Sequence, residues 1–147
     1  MSRARTDADE LRMEIEALIV RFAWRIDHER GWGVEELFTP DGVYAFGPVA
    51  LEGRAAIAGF YEHRRGGGGR TSRHLFCNLH LRRVAAERAE GTCVLTLHAA
   101  DGPPPHRLAP LLVADYDDVY VREADGVWRF ERRFVTVLFG QVPQLGR

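Results

Sequence analysis

Residues 111–139 read LLVADYDDVYVREADGVWRFERRFVTVLF, two long runs rich in Val, Leu, Phe and Tyr, Leu111–Val121 and Val127–Phe139, hinged on Asp125-Gly126. An Asp-Gly pair between such runs is a hairpin signal, because a tight turn needs positive φ and these residues accept it. Upstream, Leu75–Val84 and Thr92–Ala100 have the same character, with Glu90-Gly91 as a second hairpin signal and Asp101–Pro110, carrying three prolines in a row, as a longer connection. The first half differs. From Asp7 to Asp27, apolar residues fall at Leu11, Ile15, Leu18, Ile19, Phe22, Ala23 and Ile26, the three-and-four spacing of a helix with one buried stripe. A short second helix at Val34–Phe38 is expected to stop at Thr39-Pro40-Asp41-Gly42, followed by a short strand at Val43–Phe46. A third helix after Glu52-Gly53-Arg54 carries Ala56, Ile57, Phe60 and Tyr61 on one side. It runs into Arg64–Arg70, a loop with four consecutive glycines that is either a lid or slack. Helices followed by antiparallel hairpins predict an α+β fold, a curved antiparallel β-sheet wrapped around N-terminal helices. No repeat or boundary divides it, so residues 1–147 read as a single domain, with flexible tails expected at 1–8 and 140–147.

Composition narrows the function classes. The 147 residues, 46% hydrophobic and 28% charged, suffice for one buried core. A net charge of −1 argues against a nucleic-acid or membrane-surface partner. All twenty basic residues are arginine, which excludes Schiff-base chemistry and the lysine of a phosphate-binding loop. Cys77 and Cys93 lack metal or redox spacing and read as buried, reduced thiols. No apolar run reaches the roughly 18–20 residues of a membrane span, and the polar start is unlike a signal peptide, so a cytoplasmic location is expected.

Two ionisable residues stand in informative frames: Asp27 in Phe22-Ala23-Trp24-Arg25-Ile26-Asp27, near the end of the first helix, and His74 in Thr71-Ser72-Arg73-His74, at the mouth of a strand. Carried into one cavity, a carboxylate fixes an imidazole's tautomer and the two make a general acid–base pair. The plainer readings are a helix-end carboxylate in solvent or paired with Arg30, and a satisfied histidine at a strand start. Asp115 and Asp117 share a strand face with Val113 and Val119 by period-two alternation, and an acid there is costly unless paired, solvated or protonated. The alternative is that Asp117-Asp118 faces solvent at the rim. His74 and His80 fall on one strand face but too far apart along it to share a metal, and no metal is expected.

The ordered set Asp27, Leu37-Phe38-Thr39-Pro40-Asp41-Gly42-Val43, Leu51-Glu52-Gly53-Arg54-Ala55-Ala56-Ile57, Ser72-Arg73-His74 and Asp125-Gly126-Val127-Trp128-Arg129-Phe130 with Arg132-Arg133 resembles the SnoaL-like branch of the nuclear transport factor 2-like superfamily, over about Leu11 to Leu138. That resemblance implies a cone-shaped fold with a deep apolar pocket. It also implies the chemistry of polyketide cyclases, scytalone dehydratase, bile-acid dehydratase and steroid isomerase, although other members only bind ligands or serve as subunits. Asp27 and His74 match the dehydratase aspartate and histidine, the histidine removing a proton next to a carbonyl with the aspartate supporting it. Asp115 and Asp117 match polar pocket positions, and Arg133 an arginine deep in the last strand that either contacts substrate or pairs with Asp115. Two departures matter: the tyrosine beside the scytalone dehydratase aspartate is Ile26, and that enzyme's second pocket histidine falls near Ala99, with His98 pointing to the other face. Tyr44 is expected to supply a pocket hydroxyl, with Trp24, Phe46, Phe60, Phe76 and Val113 as lining. The resulting expectation is a cofactor-independent lyase or isomerase acting on a hydrophobic polyketide-, aromatic- or steroid-like small molecule, as a homodimer or homotrimer. The alternatives are a non-catalytic subunit, such as the small subunit of a ring-hydroxylating dioxygenase, and an epoxide hydrolase imitated by Asp27, Arg133 and Asp115.

Overall fold

A computed structural model describes residues 6–142. Helix α1 spans Asp7–Glu29 and starts on a reciprocal cap: the Asp9 backbone N–H donates to the Thr6 hydroxyl oxygen, while the Thr6 N–H donates to the Asp9 carboxylate. Leu11, Ile15, Leu18, Ile19 and Phe22 form its buried stripe. The helix ends at Arg30 in the left-handed region, and Gly31 follows with φ of 80°. A Cβ on Gly31 would lie 2.4 Å from the Tyr61 ring, so glycine here lets a neighbouring aromatic pack directly on the backbone. A 3-10 turn at Val34–Leu37 leads into β1 (Phe38–Phe46), β2 (Val49–Glu52) and α2 (Gly53–Gly66). Four long strands follow: β3 (Arg70–Arg82), β4 (Arg88–Asp101), β5 (Leu112–Arg122) and β6 (Trp128–Gly140).

The six strands form one sheet in the order β2-β1-β6-β5-β4-β3. Every pairing is antiparallel except β1 with β6, which is parallel, so the expected antiparallel sheet is in fact mixed. The reason is topological: α2 and the hairpin strands intervene between β1 and β6, and a long crossover permits parallel pairing. Thr39-Pro40-Asp41-Gly42 does not end an element but bulges inside β1, where the register slips between Phe38 and Val43. Arg54 braces that bulge by donating twice to the Phe38 carbonyl, at 2.9 and 2.8 Å. Glu90-Gly91 is likewise within β4 rather than at a turn; the turn falls at 83–87, and Gly91 is needed because a side chain there would meet Leu81 and Tyr120. Asp125-Gly126 is the turn expected, closed by the Glu123 N–H on the Val127 carbonyl. Of the expected tails, 1–5 and 143–147 lie outside the described residues, while Asp7 and Ala8 belong to α1 and Gly140 to β6. Among the described residues no helix is long and apolar enough to cross a membrane.

Helix α1 packs on β3 and β6, and α2 on β1 and β2. Between helices and sheet lies an aromatic cluster: Phe22 meets Tyr44, Phe130 and Phe38 edge-on at centroid distances of 5.5, 5.7 and 6.2 Å. One charged pair is embedded in it. Arg133 Nε and Nη2 donate to the two carboxylate oxygens of Asp118, each at 2.9 Å, both side chains being fully buried. The Tyr120 hydroxyl donates to the same carboxylate at 2.8 Å, and the guanidinium lies 3.6 Å from the Tyr116 ring centre. Burial works against the Arg133 charge, but the Asp118 carboxylate outweighs it and pushes the guanidinium pKa up. A buried pair of this kind is costly to break and cheaper to replace whole. Asp118→Leu is therefore expected to lower unfolding free energy by about 3–5 kcal/mol. Adding Arg133→Met should recover a large part of that loss in urea titrations, and equal midpoints for the single and double variants would contradict the pairing.

Candidate active site

β3 is the outermost strand of the sheet, so one of its backbone edges has no strand partner. Asp27, near the C-terminal end of α1, fills that vacancy. Its Oδ2 accepts the His74 backbone N–H at 2.7 Å, and its Oδ1 accepts the Ser72 hydroxyl at 2.8 Å and meets His74 Nδ1 at 2.6 Å. Both side chains are largely shielded, 5% and 11% exposed for Asp27 and His74. Burial tends to raise the Asp27 pKa, but the His74 side-chain bond and charge, its backbone N–H and the Ser72 hydroxyl outweigh burial and leave it lowered. An ionised Asp27 accepts only, so Nδ1 carries a proton, and in the neutral imidazole the lone pair is then on Nε2. Nε2 makes no hydrogen bond among the described residues.

His74 lines a cavity of about 80 Å³. Each element contributes by its own periodicity. From β3, Arg70, Ser72 and His74 follow at steps of two; from β4, Ala99 and Leu97 stand opposite Ser72 and His74. From α1 come Ile26, Asp27 and Arg30, and from α2 Tyr61, Arg64 and Arg65, with Gly68 of the glycine loop at the edge. Arg30, Arg64 and Arg70 are exposed, so the cavity opens to solvent on their side. The Tyr61 hydroxyl interacts with that of Tyr44 behind it, and burial pushes both phenols above their ordinary pKa, which keeps them neutral. This is smaller than the roughly 300–1,000 Å³ of drug-sized sites, and more charged than the deep apolar pocket expected. The expected apolar space is filled by Phe22, Phe38, Tyr44, Phe46, Tyr116 and Phe130.

The structure thus brings Asp27 and His74 together and takes other expected site residues elsewhere. Asp115, Asp117 and Val113 occupy the outer face of β5, because Leu112, Ala114, Tyr116 and Asp118 alternate inward. Asp117 pairs there with Arg82 at 2.7 Å. Arg133 pairs with Asp118, not Asp115, and neither borders the cavity, so no Asp27–Arg133–Asp115 constellation forms. Asp118 is not at a solvent rim but fully buried. Tyr44 and Phe46 are core, with Phe60 packed edge-on against Phe46 at 5.3 Å, and Phe76 follows His74 inward onto the same core. Trp24, two residues past the buried Phe22 and so turned from the core, is 54% exposed and stacked on His28. A bulge between Cys77 and His80 shifts the phase of β3, so His80 is exposed and does not share the face of His74. Cys77 is also exposed, whereas Cys93 is buried and its thiol is pushed up to about 12 by desolvation. Among the described residues no three His, Cys, Asp or Glu side chains are grouped to hold a metal ion. Sequence reasoning missed Ser72, Arg70, Tyr61, Arg64 and Arg65 as site residues. Their signal was the step of two back from His74 and the three-and-four spacing forward from Tyr61.

No curated protein matches the sequence. Among solved structures, a protein of unknown function from Mycobacterium tuberculosis is 25% identical with a TM-score of 0.77, covering 92% of this chain and 78% of that one. A candidate scytalone dehydratase from Novosphingobium aromaticivorans is 21% identical with a TM-score of 0.79, covering 97% and 94%. The beta subunit of a candidate aromatic-ring-hydroxylating dioxygenase from the same organism is 13% identical with a TM-score of 0.81, covering 94% and 95%. The last two show a shared fold across different functions. Residues 8–134, with the Asp27–His74 site inside them, match the SnoaL-like domain, and the chain belongs to that family.

Proposed function

We propose that this protein is a cofactor-independent lyase or isomerase in which His74 removes a proton from a carbon next to a carbonyl. The observation that carries this reading is the 2.6 Å contact between Asp27 Oδ1 and His74 Nδ1 at the wall of a cavity. An ionised Asp27 holds the Nδ1–H tautomer, and the Nε2 lone pair is then the base. As Nε2 takes the proton, positive charge develops on the imidazole and is stabilised by the adjacent carboxylate. The Ser72 hydroxyl and the His74 backbone N–H keep that carboxylate from rotating away. The enolate so formed leads to loss of water, a double-bond shift or ring closure. A cavity of about 80 Å³ admits the reacting carbons of a polyketide-, aromatic- or steroid-like molecule, with the remainder at the mouth.

A non-catalytic subunit is the second reading, favoured by the TM-score of 0.81 to a dioxygenase beta subunit. Proton exchange separates the two. In deuterated buffer, with a panel of β-hydroxy ketones and aromatic enones, the parent is expected to exchange the proton next to the carbonyl. His74→Ala should slow this by about 10²–10⁴-fold, and Asp27→Asn by the same or less. Rates unchanged in both variants would remove the acid–base assignment; a parent with no exchange on any panel member would favour the subunit.

Asp27 also makes a pH-dependent contribution to stability. Its folded pKa lies below the ordinary 3.8, so the stabilisation is present above that value and is lost as pH falls through the folded one. The stability gap between parent and Asp27→Asn is therefore expected to be constant near neutrality and to shrink in acid. Thermal midpoints of the two proteins from pH 7 down to about 3 check this. A gap that widens on acidification would mean the carboxylate is held protonated.

A further inference from the structure

Four guanidiniums border the cavity, from Arg30, Arg64, Arg65 and Arg70, against one carboxylate, Asp27, whose oxygens are already taken by Ser72 and His74. Two of the four have local work. Arg30 and Arg65 donate to each other's backbone carbonyls, at 3.1 and 3.3 Å, and the Arg65 guanidinium stacks 3.7 Å from the Trp32 ring centre. Arg70 shares a 3.2 Å ion pair with Asp101, which is itself 82% exposed and so weakly held. The Arg64 guanidinium makes no hydrogen bond or ion pair among the described residues and lies 5.8 Å from the Phe60 ring centre. Desolvation first, and then the charge of Arg70, depress its pKa.

Basic residues in the last turn of α2 stabilise that helix end wherever they point, which accounts for Arg64 and Arg65 in isolation. It does not account for Arg70, which arrives from β3 on the His74 face. Nor does it account for Arg64 facing Arg70 with no hydrogen-bonded acid of its own, since Asp101, the one acid that acts on both, is bonded to Arg70. Two like charges that share one exposed acid leave N–H donors at the mouth that an anion can accept from.

Resting on the acid–base reading above, we infer that the substrate is an anion, a carboxylate held at the cavity mouth by Arg64 and Arg70 while its reacting carbon lies at His74. The apolar lining then consists of Ile26, Leu97 and Ala99 around the reacting carbons. The charged mouth selects acids over neutral molecules of the same shape, and a planar guanidinium matches a carboxylate in two-point contact.

Cinnamate and cinnamamide, equal in shape and different in charge, are the probes, with Trp32 fluorescence and backbone amide shifts of β3 as readouts. Cinnamate is expected to bind at least about tenfold more tightly than the amide, with the advantage shrinking as salt rises and screens the pair. Arg64→Gln and Arg70→Gln should each remove most of that preference while the chain stays folded and still binds the amide weakly. His74→Ala should retain the preference, so failure of the base assignment and failure of the anion assignment are read separately. Cinnamate bound no better than cinnamamide, including binding of neither, overturns the inference; so does a preference that survives in both glutamine variants.

Discussion

The carboxylate of Asp27 is the point at which helix and sheet are tied. It accepts a backbone N–H from an edge strand, a hydroxyl two residues earlier and an imidazole, so α1 cannot slide along β3 without leaving three donors unsatisfied in a nearly dry place. The same bonds set the tautomer and orientation of His74. Two structural demands therefore coincide on one residue: whatever positions the strand also orients the imidazole. Gly31 contributes to this arrangement from the other side, since its missing Cβ admits the Tyr61 ring and brings α2 against the end of α1. Tyr61, Arg64 and Arg65 of that helix line the cavity that Asp27 and His74 share.

A second polar knot, Arg133–Asp118–Tyr120, lies deep in the aromatic core and apart from the cavity. The two knots show different uses of buried charge. In the core the pair is closed on itself and on surrounding rings, leaving only Arg133 Nη1 without a hydrogen-bond partner. At the cavity the polar groups stay open: among the described residues neither His74 Nε2 nor the Arg64 guanidinium has a hydrogen-bond partner. Polar groups satisfied within the protein hold the fold together; those left unsatisfied at an opening are available for chemistry.

The order of helices and strands was legible because the apolar stripe of α1 and the Asp125-Gly126 hairpin are local signals. The parallel pairing of β1 with β6 was not, since no local pattern says which strands become neighbours after a long crossover. The Asp27–His74 pair was legible only from residue frames, as their separation along the chain carries no geometry. The misplacement of Asp115 and Asp117 has a definite cause. β5 offers two faces, one with Val113, Asp115 and Asp117, the other with Leu112, Ala114, Tyr116 and Asp118, before the register slips between the buried Val119 and Tyr120, and each has apolar residues and acid. The second has more apolar area and a single acid, which an arginine from the next strand can neutralise, and burial follows that count. His80 was misjudged because alternation was carried unbroken through Asn78, whose φ of 56° marks the bulge that resets it.

The strand order has a consequence for how the molecule is made. β6 is the last of the six strands to leave the ribosome, yet it lies between β1 and β5 in the middle of the sheet. Until it emerges, β1 and β2 form a detached ribbon, Asp118 has no guanidinium, and the apolar stripe of α1 lacks part of the surface that covers it. The nascent chain can pair β3, β4 and β5 early, and the half-built sheet then exposes the β5 edge that β6 will occupy. Vectorial synthesis thus leaves the β5 edge open until β6 arrives, and an open strand edge is the feature most exposed to edge-to-edge association between nascent chains.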